Sequence, residues 1–162
     1  MKFFKDFYKY NEGAPKEGSK EWIEQYNNIK KLGSDYITYL NKISAHLPNG
    51  FLETYFKYSQ FQGWDLNSLI FDHNVYNHPN IIITLSHVNL KKEIKLTYYD
   101  IKSFYTNLHK NYFDSYKYGK PGIIGVNEFI YCKNTLSHEI YFNTPESIKI
   151  YCNKLSISVV DC

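Results

Sequence analysis

The sequence predicts an α+β fold, with a long N-terminal amphipathic helix packed on one face of a mainly antiparallel sheet of about six strands. Three observations predict it. Trp22, Tyr26, Ile29, Leu32, Tyr36, Leu40, Ile43 and Leu47 recur at threes and fours, which sets all eight on one stripe of an α-helix. From Phe51 onward the period shifts toward two, with β-branched and aromatic residues between turn signals. The chain of 162 residues, 43% hydrophobic and 19% aromatic, has the length and apolar content for one core rather than two. The expected layout is a single domain over 1–162: an N-terminal segment and loop over 1–20, the helix over 21–47, and mostly antiparallel sheet over 51–162.

The stretch NEGAPKEGSK, 11–20, has two Gly and one Pro among charges and reads as a loop, so Ser19 or Lys20 marks the helix start. The apolar stripe stays in phase across Gly33, which favours one helix over two, ending near His46 ahead of Leu47-Pro48-Asn49-Gly50. Leu69, Phe71, His73 and Val75 share one strand face, NHPN at 77–80 turns the chain, and Ile81, Ile83, Leu85 and His87 face the same core. A turn over Asn89 to Lys92 leads to Ile94, Leu96 and Tyr98, and pairing Val88 with Glu93 sets Leu96 opposite Leu85 and Ile94 opposite His87. Ile101, Phe104, Tyr105, Leu108 and Tyr112 fit a short helix capped by Asp100, or a loop over 100–112. YGKPG at 118–122 is a turn, and three strands follow over 123–132, 136–142 and from 147. In the last of them the apolar phase reverses at Asn153-Lys154, through a hairpin turn or a β-bulge.

The chemistry worth weighing lies in these strands. A three-residue loop at Lys133-Asn134-Thr135 gathers Val126, Ile130, Cys132, Leu136, Ile140 and Phe142 on one face and puts Glu128 opposite Ile140. Glu128 and His138 then become diagonal neighbours about 7–8 Å apart, Glu139 points the other way, and Cys152 falls opposite His138. Cys152, His138 and Glu128 nominally supply a nucleophile, a base and an orienting acid. The competing reading is a polar inclusion in the core, because side chains in mid-strand on a covered face are screened from substrate. His73 and His78 with Asp72 resemble metal ligands only in composition, since His73 and Asp72 project to opposite faces and His78 sits in a turn; no metal site and no cofactor is expected. His46, His87 and His109 stand singly, and no Gly-rich phosphate loop, HExxH or GxSxG occurs.

Composition excludes other classes. The formal charge is only +3 and all 19 basic residues are lysines, so the bidentate Arg contacts of specific nucleic-acid readout are missing. Lys5, Asp6 and Lys9 interrupt the apolar residues of MKFFKDFYKY, and no run approaches the roughly 18 apolar residues of a membrane span. Three cysteines, Cys132, Cys152 and Cys162, without CxxC spacing indicate neither a disulfide framework nor a zinc ribbon. A cytoplasmic protein without membrane association is expected.

The stretches WDLNSLIF, NIIITL, EIKLTYYDI, GVNEF, LSHEIYF and SIKIYC, between about residue 50 and residue 160, resemble a diffuse group of small bacterial α+β proteins of unknown function, some of them immunity proteins of polymorphic toxin systems. Where that group more usually has His-Asp before the first strand, this chain has Gln62-Gly63-Trp64-Asp65. The resemblance implies a non-enzymatic protein that acts by binding, with a toxin as partner. The alternative is a small-ligand binder or enzyme with a pocket around Glu128 and His138; an oligomer of the chain itself is a third possibility.

Overall fold

In the computed structural model, which describes Phe3 and residues 15–72, 79–108, 123–143 and 146–161, Ser19 opens the first helix as expected. Its hydroxyl accepts the Trp22 amide at 3.1 Å, and α1 (Lys20–Lys42) follows, with Glu21 in its first turn and Lys42 in its last, each favourable to the helix dipole. The helix passes Gly33 unbroken. It stops short of residue 47, however: a 3₁₀ turn (Ser44–His46) leads to Leu47. Only Tyr36, Leu40, Ile43 and Leu47 of the eight-residue stripe are buried, while Trp22, Ile29 and Leu32 are half-buried and Tyr26 is 45% exposed. Periodicity reveals which face of a helix is apolar, but how far along its length the partner layer extends is a tertiary fact.

Residues 51–64 correct the expected layout, because they hold a short helix and a 3₁₀ turn rather than strand. α2 (Phe51–Lys57) starts after Gly50, whose φ of 73° suits a residue without Cβ, and is followed by a 3₁₀ turn (Ser59–Phe61). Phe51, Tyr55 and Tyr58 bury one face of this segment at a spacing of four and three. Their aromatic character pointed to strand, but their spacing was helical all along.

The rest is one antiparallel six-stranded sheet: β1 (Asp65–Asp72), β2 (Asn80–His87), β3 (Lys92–Thr106), β4 (Ile124–Cys132), β5 (Thr135–Phe142) and β6 (Ser147–Asp161), in the order β1-β2-β3-β6-β5-β4. Ile81, Ile83 and Leu85 are buried as expected, opposite Phe71, Leu69 and Leu66 of β1, with a register slip between Leu66 and Ser68. His73, Val75, Asn77, His78 and the turn at 118–122 lie outside the described residues. The β2–β3 pairing is moved by two residues from the expected one: Leu85 faces Ile94, Ile83 faces Leu96 and His87 faces Lys92. The connection is still four residues long but starts at Val88, in a 3₁₀ turn, and a slip of two keeps every side chain on its face.

Over 100–108 no helix follows Asp100. β3 continues to Thr106 through Asp100, at φ 53°, and a register slip between Ile101 and Ser103. The slip reverses the pleat, so Ile101 and Phe104 both turn toward the core, and that three-residue step imitated a helix. Leu108 is described as irregular chain, whereas Tyr112 is outside the described residues. β6 runs unbroken across Asn153-Lys154 with Cys152 opposite Ile101 and Lys154 opposite Tyr99, which rules out the hairpin turn there.

The buried side chains of α1, α2 and the sheet form one hydrophobic cluster. The sheet curls until its two outer strands meet at one end, where the Ile124 amide reaches the Trp64 carbonyl at 2.8 Å and Asp65 bridges Ile123. Along the rest of β4, outward backbone groups that would be left unpaired are met by tyrosine hydroxyls. Tyr36 accepts the Phe129 amide at 2.6 Å, Tyr39 accepts the Tyr131 amide at 2.8 Å and lies 3.1 Å from its carbonyl, and Tyr55 lies 3.3 Å from the Asn127 carbonyl. Tyr36→Phe therefore strands a buried amide and is expected to destabilise the fold by about 1–3 kcal/mol. Tyr39→Phe, at a half-buried site open to water, should have a smaller effect, and urea unfolding of the two variants checks the order. No helix among the described residues is long and apolar enough to cross a membrane.

Candidate functional site

The hairpin that carries the candidate residues turns on two residues, not three. Lys133 and Asn134 have φ of 48° and 61°, and Cys132 pairs with Thr135, the geometry of a tight turn whose backbone twist matches the flanking strands. Phe129 is thus opposite His138, Ile130 opposite Ser137, and Glu128 opposite Glu139. The expected diagonal contact of Glu128 with His138 is overturned: their side chains leave opposite faces of the sheet. Apolar patterning misled here because β5 is buried from Leu136 to Ile140 and β4 from Val126 to Phe129, on both faces. A strand covered on both sides has no polar face to set its register; the turn residues set it instead. β6 is likewise moved by two, so Cys152 faces Leu136 and Ile150 faces His138. The nominal row of nucleophile, base and acid does not form.

His138 sits in the core, 1% exposed, its ring 3.7 Å from that of Phe129 and nearly parallel to it. Its contacts assign its tautomer. Asn127 turns its Nδ2 to the Gln60 carbonyl, which only accepts, so Oδ1 faces His138 Nε2 at 3.3 Å and Nε2 must carry the proton. Nδ1 is then bare and accepts from the Tyr98 hydroxyl at 2.5 Å. Asn127 Oδ1 also lies 3.0 Å from the Tyr55 hydroxyl. Tyr98, His138, Asn127 and Tyr55 form a closed chain in which each polar group meets a complementary one. Burial pushes the His138 pKa well below its usual value and the Tyr98 and Tyr55 phenols upward, so the ring stays neutral and the phenols stay protonated. Burial also pushes the Cys152 thiol up to about 12, which leaves it a small apolar side chain rather than a thiolate.

The two carboxylates occupy the other face, also buried. Glu128 Oε1 accepts the Phe3 amide at 2.6 Å, and the Phe3 ring lies 5.3 Å from those of Tyr36 and Tyr39. Glu139, correctly expected to point away from His138, pairs with Lys149 on β6. Burial alone would raise the Glu139 pKa, but neighbouring positive charge, that of Lys149 included, outweighs it and holds the carboxyl below its usual value.

Three surface hollows of about 290–340 Å³ lie elsewhere: beside α2 and the end of β6, near Pro48 and Tyr131, and over Ser103, Ser137 and Tyr151. None of the three is lined by Glu128, His138 or Cys152. Of the single histidines, His46 is exposed and stacks on Tyr131, His87 meets Trp64 edge-on, and His109 is outside the described residues. Asp72 ends β1, and among the described residues no three His, Cys, Asp or Glu side chains cluster as metal ligands would. Sequence reasoning missed Tyr98, Asn127 and Tyr55 as the partners of His138. With 17 tyrosines in the chain, nothing local distinguishes these two, and only the correct register brings Asn127 onto the imidazole's face.

No family model and no curated protein matches this sequence. Among solved structures, an uncharacterised protein from Neisseria gonorrhoeae is similar in part, with 16% identity and a TM-score of 0.45 over 60% of this chain and 92% of that one. A likeness of that size carries no functional argument.

Proposed function

We propose that this protein acts by binding a protein partner through its surface rather than by catalysis and, in the finer form of this reading, that the partner is a toxin it neutralises. The observation that supports it is the closed chain Tyr98–His138–Asn127–Tyr55. A general base must reach the proton it removes, and both nitrogens of this imidazole are already engaged inside the core. The rival reading, a ligand pocket around Glu128 and His138, has its two residues on opposite faces of the sheet. A surface binder uses no such residues; it uses exposed side chains and backbone, at roughly 800 Å² per partner. The formal charge of +3 does not suit mimicry of nucleic acid, so a toxin other than a nuclease fits better.

Co-expression tests the finer form. The chain is expected to restore growth of cells that express a toxin domain found in an adjacent reading frame, and His138→Gln and Cys152→Ala, once circular dichroism establishes that they fold, are expected to protect equally well. Absence of protection by the unaltered chain would remove the toxin reading. Loss of protection in the two folded variants would return the argument to a site in the core.

A further inference from the structure

Ser59, Gln60 and Phe61 have φ of 51°, 57° and 61°, three left-handed residues in succession and none of them glycine. In that conformation Cβ crowds the following carbonyl, so such residues persist in a run only where their surroundings hold them. The restraint here leads to His138. The Gln60 carbonyl accepts Asn127 Nδ2, and the buried Phe61 ring meets that of Tyr55 edge-on at 5.0 Å. Asn127 Oδ1 in turn serves both the Tyr55 hydroxyl and the imidazole. One side-chain amide therefore ties the left-handed turn, α2 and His138 together. The segment so tied lies between two glycines that are themselves left-handed, Gly50 at φ 73° and Gly63 at φ 79°. At Gly63 the chain is fastened to β4, its amide donating to the Ile124 carbonyl at 3.0 Å.

A second proton on His138 finds no partner in this closed arrangement. It would make Nδ1 a donor aimed at the Tyr98 hydroxyl, whose one hydrogen bond among the described residues is its donation to that nitrogen. Nor is there a counter-charge. The titratable groups on this side are Tyr98 from β3 and Tyr55 from α2, with Cys152 of β6 beside Tyr98 and Tyr36 of α1 beside Tyr55, and burial keeps all four protonated and uncharged. Glu128 and Glu139 leave the opposite face of the sheet. An imidazolium must therefore reach water. The sheet does not yield to it, because β5 is hydrogen-bonded to β4 on one side and to β6 on the other. The cover on the helical side is short, and its release relaxes three strained residues.

We propose that residues 51–62 form an acid-released cover: proton uptake by His138 frees them from the sheet, turning about Gly50 and Gly63, while the strands stay paired. Opening bares Phe51, Tyr55, Phe61 and Phe129, so acid turns part of a closed core into an aromatic surface. This goes beyond the surface-binding reading and does not depend on it. In the open form the imidazole regains its ordinary pKa of 6.5, so the open population grows by up to tenfold for each pH unit below that value.

Native-state hydrogen exchange of the full chain, corrected for the intrinsic pH dependence of amide exchange, reads this opening. Protection within 52–62 is expected to fall by up to tenfold per unit below pH 6.5. It should respond weakly to low urea, because a local opening exposes little surface, whereas β3 and β6 should be better protected at every pH and respond steeply. His138→Gln should abolish the pH dependence within 52–62. Gln60→Gly, which places glycine at a left-handed position, should raise protection there severalfold at neutral pH and keep the slope. Protection within 52–62 that matches β3 and β6 in size and urea response would make the opening global and overturn the proposal. So would a slope that survives in His138→Gln, or a Gln60→Gly variant no better protected than the parent. Should His138→Gln fail to fold, the urea response of the unaltered chain and the Gln60→Gly result still decide.

Discussion

Phe129→Ala is expected to lower stability by about 3–5 kcal/mol, the range for deleting a large buried aromatic ring. The residue is fully buried and joins α2 to the sheet: its ring meets Phe51 at 4.9 Å and Tyr55 at 5.6 Å, both near perpendicular, and lies flat on His138 at 3.7 Å. Removing it opens a cavity between α2 and the sheet and uncouples the imidazole from its stacking partner, while the backbone amide can still reach Tyr36. At about 2–4 °C per kcal/mol for a chain of this size, the melting temperature should fall by about 6–20 °C. Phe71→Ala is the control, since that ring is 45% exposed on β1 and its loss should cost far less. Thermal and urea unfolding of both variants decides the matter, and equal losses would contradict the layered core described above.

Stability is also expected to fall with acidification below about pH 6.5, from His138. The sign follows from its environment. Burial holds the folded-state pKa well below the usual 6.5, so the imidazole is neutral in the native protein and protonates readily only when unfolded. Between those two values the unfolded state binds one more proton, and the folding equilibrium weakens by up to tenfold per pH unit as pH falls. Above pH 6.5 the contribution is complete and flat. Glu139 acts in a lower window: its carboxyl is held below the usual 4.5 by neighbouring positive charge, that of Lys149 included, against the effect of burial, and that contribution is lost as pH drops beneath 4.5. The two groups are therefore separable. Replacing the imidazole in His138→Gln should remove the slope between pH 6.5 and 4.5 and leave the lower loss in place, as read from urea midpoints across pH. A slope that persists unchanged in the variant would show that another group carries it.

Much of the fold was readable from short-range pattern. Ser19 as the helix cap, the passage of α1 across Gly33, the inward faces of β2 and β3, and the burial of Ile148, Ile150 and Cys152 all follow from side-chain periods of 3.6 and 2 set by local backbone geometry. The candidate site was readable only as a composition. Glu128, His138 and Cys152 were visible as polar or reactive residues in apolar strands, yet their grouping depended on register, and register in β4 and β5 cannot be derived from an alternation that burial on both faces has erased. Asn134 in the turn carried the missing information, because a residue tolerant of positive φ permits the two-residue loop.

The chain alone thus dictated where α1 begins, which residues of β2 and β3 turn inward, and that a histidine would lie among apolar neighbours, since each of these is settled by sterics and hydration within a few residues. Which strand faces acquire a second cover, how much of α1 is packed, and what His138 bonds to were settled by segments far apart in sequence. Tyr98 reaches the imidazole across 40 residues and Tyr36 reaches the Phe129 amide across 93. No local period encodes such meetings, because their free energy exists only once the sheet has curled and the helices have closed its edge.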